Sequence, residues 1–489
     1  MNFCSLRRAV HVCVWDQQTM TSGKRRAGLV LVSGTSDWDN AGRVVKAKGK
    51  GAGPEVSLYP NLYLPHRVPG LGSVPVVSVA TGSTSCHSVA VSAKGEAWTW
   101  GRNEHGQLGH GDLQRRDKPE KVAELVGHKV AWAACGKAHT AFLTEDGKLY
   151  MCGLNKMGQC GTGSREEHVG LPREVMMDVA KVCCGSEFTL AIDRAGSLWA
   201  WGHPERGQLG LGGDGSYNAS ESKINMKFAP VMSPTLVPPP EGIDYAWKVL
   251  DAACGAHHVV CRDAEGHIWT WGSGDYGRLG HNKQQDELRP RQLMFFSGKN
   301  VVDDDCKLAA GGDFTVITAS RHMSAGGPGL IWAWGKVKRT TDAWMYPQAI
   351  TDLQGWEAKS ISGGNTYTLV AASAPSENGG EGEQSTIGWG QATCGELAFG
   401  ESQKSSAAPR KMDKLEGWDV MQVAAGMTHS LYLVDWAEER AHKQCPRLKL
   451  PEVATDGKGD KGKAKPAAKR KGSQADAPPA KKPRGKAKA

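Results

Sequence analysis

The stretch Trp98-Thr-Trp-Gly-Arg-Asn-Glu-His-Gly-Gln-Leu-Gly109 decides how this chain is read, because it returns. Trp199-Ala-Trp-Gly-His-Pro-Glu-Arg-Gly-Gln-Leu-Gly210 and Trp269-Thr-Trp-Gly-Ser-Gly-Asp-Tyr-Gly-Arg-Leu-Gly280 are near copies. Weaker copies place the same pattern before Gly153, Gly335 and Gly390. Self-similarity at roughly fifty residues marks a propeller or a solenoid. Trp98 and Trp100 are two residues apart, as are Trp199 and Trp201, Trp269 and Trp271, and Trp332 and Trp334. In a strand such residues share a face, so each pair predicts an aromatic stripe. Burying two indoles at about 150–250 Å² each contributes roughly 8–12 kcal/mol before entropy is counted. Gly101, and its counterparts Gly202 and Gly272, then end the strand, and Gly106 and Gly109 turn the chain where only glycine moves freely.

A second block precedes the first. Trp132-Ala-Ala-Cys-Gly136-Lys-Ala-His139-Thr-Ala-Phe-Leu runs through a turn at Gly147 into the next aromatic strand. The order repeats from Cys184-Gly185 to Phe188 and from Cys254-Gly255 to His258. Two apolar runs joined by a short loop ending in Gly predict a β-hairpin. The small-residue block occurs seven times, around Gly82, Gly136, Gly185, Gly255, Gly311, Gly364 and Gly426. The Gly-ended strand also occurs seven times, but its first copy (residues 29–34) has no partner before it, and residues 423–434 have none after. Pairing the two chain ends solves the offset. The expected fold is therefore all-β: a seven-bladed β-propeller closed by its N- and C-terminal strands, which removes open sheet edges.

Composition supports an all-β repeat protein: 489 residues with 62 Gly and 17 Trp. The 13 Cys are odd in number, and Cys135, Cys184 and Cys254 share one strand position, which predicts reduced, buried thiols. The net charge is +9, yet residues 451–489 hold twelve Lys/Arg against four Asp/Glu, so a net of +8 lies in the last 39 residues. The expected division is a flexible arm over 1–27, the propeller over 28–437 and a disordered Lys/Arg/Pro/Ala-rich tail over 438–489, because the tail lacks the apolar surface that offsets ordering entropy. Lys469-Arg470-Lys471 and, nine residues on, Lys481-Lys482-Pro483-Arg484 read as a two-part nuclear import signal. With Lys465, Lys486 and Lys488 they form the expected contact to nucleic acid, acidic tubulin or an import receptor.

His139, His258 and His429 recur at one repeat position, with His87 near it, and each is expected to bond within its own blade, too far apart for a metal or a general base. Gly136, Gly255 and Gly426 join them as structural repeat residues. Gly210-x-Gly212-x-x-Gly215 matches a dinucleotide fingerprint in letters only, since the polar stretch after it makes no amphipathic helix. No catalytic triad, cofactor site or metal site is read, and no apolar run approaches a membrane span.

The paired blocks resemble the regulator of chromosome condensation (RCC) repeat family over roughly residues 28–436. The resemblance rests on Thr35-Ser-Asp-Trp-Asp-Asn-Ala-Gly-Arg43, Asn61-Leu-Tyr-Leu-Pro-His-Arg67, Gly101-Arg-Asn-Glu-His-Gly-Gln-Leu-Gly-His-Gly-Asp112, Tyr276-Gly-Arg-Leu-Gly-His281 and Met345-Tyr-Pro-Gln-Ala-Ile-Thr-Asp-Leu-Gln-Gly-Trp356. It implies a seven-bladed propeller, a nuclear protein of mitotic chromosomes, centromeres and the spindle midzone, and contact with small GTPases of the Rac, Ral or Arf class, with guanine-nucleotide exchange or pure adaptor function. Three departures stand out. The repeat holding Cys152 and Cys160 lacks the tryptophan pair, the repeat at Gly335 lacks the Gly-Gln-Leu-Gly loop, and the basic tail follows the propeller.

Overall fold

The computed structural model describes residues 26–43, 59–220, 224–318, 329–337, 342–375, 382–436 and 443–449. Residues 1–25 of the expected 1–27 arm lie outside them. Among the described residues the repeat strands form five four-stranded antiparallel sheets and one eight-stranded sheet, in which the first and closing blades are joined by a single pair, Gly28 opposite Val76, and the chain is a β-propeller. The first blade runs Val76–Ala80, His87–Ser92, Ala97–Gly101 and Arg116–Lys121 from the axis outward. Five more follow in chain order, beginning with Val130–Cys135, Val179–Cys184, Val249–Cys254, Leu308–Ala310 and Glu357–Gly363. The innermost strands touch in sequence around a closed cycle.

The closing blade is built from both chain ends. Val420–Ala425 and His429–Asp435 form its inner half, and Gly28–Thr35 and Asn61–Arg67 its outer half. Gly28–Thr35 pairs with His429–Asp435 over seven residues, from Gly28 opposite Asp435 to Gly34 opposite His429, as the offset in the repeats requires. Every residue of Gly28–Thr35 is buried, with Leu29 and Leu31 on one face and Val30 and Val32 on the other. An open edge there would leave both apolar faces and a row of backbone groups wet.

The core is divided into slabs. Seven apolar clusters occupy the seven interfaces between neighbouring blades. Because each blade is covered on both faces, its second strand is buried along its length: all six residues of His139–Thr144 are buried.

The boundary expected at residue 438 is wrong in one respect. Residues 443–449 lie along the outer edge of the closing blade: the Arg67 amide donates to the Pro446 carbonyl (2.9 Å) and the Leu448 amide to the Arg67 carbonyl (3.1 Å). Cys445 is buried in the cluster between the sixth and closing blades, and Leu448 in the cluster between the closing and first blades. Two apolar side chains in a basic stretch suffice to hold this strap on the seam, where pairing also satisfies an edge strand.

Candidate functional site

The recurrent histidines are buried where expected, but each reaches the neighbouring blade, which corrects the expectation of bonding only within its own; His87 also bonds inside its blade, to Ser85 Oγ (2.9 Å). His87 Nε2 donates to Thr140 Oγ1 (2.7 Å), and that hydroxyl donates to the Gln107 carbonyl (2.6 Å). His139 reaches Thr189 (3.0 Å), which donates to the Gln159 carbonyl (2.9 Å). His258 reaches Thr315 (2.9 Å), which donates to the Arg278 carbonyl (3.1 Å). His429 bonds Ser88 Oγ (2.8 Å), carrying the pattern across the closure. Tyr367 takes the histidine's place in the sixth blade and donates to the His429 carbonyl (2.7 Å). Burial disfavours the charged imidazolium. It lowers His87 to about 3 and His139 and His429 to about 4, and takes His258 well below its ordinary value. Nδ1 of His139, His258 and His429 has no hydrogen-bond partner, so the single proton sits on Nε2, where the neighbour's hydroxyl accepts it.

The glycine three residues earlier is needed to seat this ring. A Cβ on Gly136 would lie 2.0 Å from His139 Cε1, and one on Gly255 2.2 Å from His258 Cε1. Gly426 has the same relation to His429, at 2.6 Å. Gly101, Gly202 and Gly272 have a different reason: each has φ near +100° (111°, 113° and 99°) at the end of the aromatic strand.

The Gly-Gln-Leu-Gly loops fasten the blades on the same face as the turns between first and second strands, since antiparallel alternation puts both connections at one end. Trp201 Nε1 donates to the Gln159 carbonyl and Trp271 Nε1 to the Gln208 carbonyl, each at 3.0 Å. In the second blade, where tryptophan is missing, the Cys152 thiol donates to the Gln107 carbonyl (3.5 Å). The loops brace themselves through buried asparagines: Asn103 Oδ1 accepts the Leu108 amide and Asn155 Oδ1 the Cys160 amide. Near the axis, backbone bonds step from blade to blade: Lys137 to Ser186, Ser186 to Ala256, Ala256 to Gly311, Asn365 to Gly426 and Met427 to Ser85. A loop face fastened in this way presents side chains with little reorganisation.

Two features of that face are exposed. The third blade's outer loop carries a hairpin, Ser216–Asn218 paired with Met226–Phe228, where the sequence predicts only a polar stretch. Tyr217, Ile224 and Met226 are exposed on it, Ile224 by 87%, while Phe228 anchors it edge-on to His203. The glycines of the letter-match to a dinucleotide fingerprint are turn residues: Gly210 lies beside the Trp271 indole, and a strand rather than a helix follows Gly215. The second feature is Tyr276, exposed, with a left-handed backbone (φ 57°) that costs a bulky residue energy. Lys336 Nζ stands 4.8 Å from its ring, and Arg278, beside it, pairs with Asp313 at 3.0 Å.

The RCC1-like domain family matches residues 8–370. Protein RCC2 homolog from Xenopus laevis is 36% identical over 449 residues, covering 88% of this chain and 82% of that protein. Protein RCC2 from Homo sapiens is 35% identical over 455 residues, covering 89% and 81%. This chain belongs to the RCC1-like family. Within it, the chain is related to RCC2. Two solved structures share the fold. Human WBSCR16 has a TM-score of 0.64 at 22% identity, covering 84% of this chain and 100% of its own. Yeast RCC1 (Prp20) bound to Kap60 has a TM-score of 0.63 at 18% identity, covering 86% and 91%.

In this RCC1-like chain the sequence-derived site residues thus divide. His139, His258, His429 and the repeat glycines form the frame beneath the loop face. Lys465, Lys469, Arg470, Lys471, Lys481, Lys482, Arg484, Lys486 and Lys488 lie outside the described residues. Among the described residues, no group of three or more His, Cys, Asp or Glu is placed to hold a metal, and no helix is long and apolar enough to cross a membrane.

Proposed function

We propose that this protein is a binding scaffold whose loop face engages a small GTPase, and whose basic segment 451–489 tethers it to chromatin and is read by a nuclear import receptor. The observation that carries the first part is the hairpin: Tyr217, Ile224 and Met226 are apolar and exposed on a loop anchored to a frame fastened at every blade interface. Large apolar side chains displayed on a supported loop suit a protein partner. The relatives support the reading. Yeast RCC1 has described binding properties to Gsp1p and histones, and has been solved with Kap60. The RCC-repeat resemblance guides the rest of the proposal: a partner of the Rac, Ral or Arf class, and action on mitotic chromosomes, centromeres and the spindle midzone.

Such a protein makes and breaks no covalent bond. It accelerates nucleotide release only by binding the nucleotide-free GTPase more tightly than the loaded one. The test is release of a fluorescent guanine nucleotide from a panel of Rac, Ral and Arf GTPases, with wild-type protein and a Tyr217→Ser/Ile224→Ser/Met226→Ser variant. Acceleration lost in the variant supports exchange through the hairpin. Tight binding without acceleration makes the protein an adaptor, and no binding to any member refutes the GTPase reading.

A further inference from the structure

We propose that Cys183 and Cys254 are a redox modification site: a dithiol that a hydroperoxide oxidises to a disulfide joining the innermost strands of the third and fourth blades. The Cys254 thiol donates to Cys183 Sγ at 3.1 Å, across an interface between residues 71 apart in sequence. Both side chains are half-buried, unlike Cys135, Cys152, Cys160, Cys184 and Cys261, which are buried.

The repeat shows how unusual this pair is. Cys183 stands two residues before its blade's Gly185, and Cys254 one residue before Gly255. At the next two interfaces in chain order the corresponding pairs are Ala253 with Ala310 and Ala309 with Gly363, and at the preceding one Ala134 with Cys184. The Ala425 amide's bond to Ser362 Oγ (3.0 Å) shows the same two positions facing each other at the sixth interface. A small residue is the rule at this crowded radius, yet here sulfur stands on both sides. Lys181, two residues from Cys183 on the same strand, forms an ion pair with Asp251 of the fourth blade. Burial and the neighbouring Cys183 push the Cys254 thiol up, and the Lys181 ammonium, itself lowered to about 7 by burial, opposes this only weakly.

The chemistry balances with hydrogen peroxide as oxidant. One sulfur attacks a peroxide oxygen; the O–O bond breaks, an S–O bond forms, and the departing oxygen takes the thiol proton and leaves as water. The second sulfur then attacks the sulfenic sulfur; the S–S bond forms, the S–O bond breaks, and the second water departs. Two thiols are oxidised by two electrons, and one peroxide is reduced to two waters.

The experiment uses the reduced full-length chain, titrated with hydrogen peroxide, alkylated, and digested with trypsin without reductant. The expected product links residues 182–194 to residues 249–262, with fragmentation placing the bond on Cys183 and Cys254 rather than Cys184 and Cys261. The oxidised chain should migrate as a monomer and melt several degrees higher, because the bridge closes a long loop, and dithiothreitol should reverse both changes. Cys183→Ala and Cys254→Ala, each placing at its position a residue the repeat uses there, should fold, lack the linked peptide and melt alike with or without peroxide. The proposal is overturned if half-buried Cys394 is oxidised while no Cys183–Cys254 link forms. A link through Cys184 or Cys261, or one between two chains, overturns it equally.

Discussion

Replacing His139 by phenylalanine separates what its imidazole does from what its shape does. The position tolerates a phenyl ring, because Phe188 and Phe314 occupy it in two other blades, lying over Gly185 and Gly311 as His139 lies over Gly136. The variant keeps the packing and loses the bond to Thr189, whose hydroxyl still donates to the Gln159 carbonyl. At about pH 7.5 that should cost about 1 kcal/mol, the net worth of one buried hydrogen bond. The sign reverses in acid. In the unfolded chain His139 takes up a proton near its ordinary value of 6.5, but in the fold it does so only at about 4. A depressed folded pKa means stability that is complete above about pH 6.5 and drains as pH falls toward 4. Between about pH 7.5 and pH 5 the drain from this one residue is about 2 kcal/mol. The phenylalanine variant is spared it. It should therefore be less stable than wild type at the higher pH, more stable by about 1 kcal/mol at the lower, and equal between pH 5.5 and 6. Urea unfolding followed by tryptophan fluorescence at several pH values measures this. Carboxylates and the other histidines titrate alike in both proteins and cancel in the difference. Parallel stability curves across this range would show that His139 is not held neutral and would refute the reasoning.

Other positions test separate parts of the account. Gly136→Ala puts a Cβ 2.0 Å from the His139 ring and should cost about 3 kcal/mol or more, whereas Gly127→Ala, with φ +94° and nothing within 4 Å, should cost only about 1 kcal/mol of backbone strain. Urea midpoints of equal size for the two would contradict the ring-seating role. Leu448→Ala should destabilise by about 2–3 kcal/mol, as for a packed core leucine, and an unchanged midpoint would show the strap to be idle. Trp201→Phe, which removes the donor to the Gln159 carbonyl, should cost about 1 kcal/mol plus lost packing, and should be worse than the same change at half-buried Trp199. For the basic segment, the affinity for duplex DNA should fall by about 0.9 log units per log unit of salt for each phosphate contacted. Removing residues 451–489 should flatten that slope; a slope retained by the truncated chain would move the DNA-binding surface to the propeller.

Much of this architecture was open to reading because each repeat carries its own local evidence. Trp100, Trp201, Trp271 and Trp334 are fully buried, as their spacing predicts, and the unmatched runs at the two chain ends pair as the offset demands. Strand alternation and hairpin turns are short-range properties, so a single chain displays them directly. The hairpin at Ser216–Asn218 and Met226–Phe228 is not legible in the sequence because its strands, Ser-Tyr-Asn and Met-Lys-Phe, are three residues long, too short for their alternation to stand out. The strap at 443–449 escaped for a similar reason: average composition hides two apolar residues.

The amino-acid sequence by itself determined that strands would form, how many repeats there are, and that the ends must meet, since each follows from spacing along one chain. Only the tertiary structure decided what the recurrent side chains do. A histidine's partner, a tryptophan's acceptor and the sulfur facing Cys183 all belong to a neighbouring blade, some forty to seventy residues away in sequence. A hydrogen bond of 3 Å depends on how two sheets pack, and nothing within either repeat encodes that angle or distance.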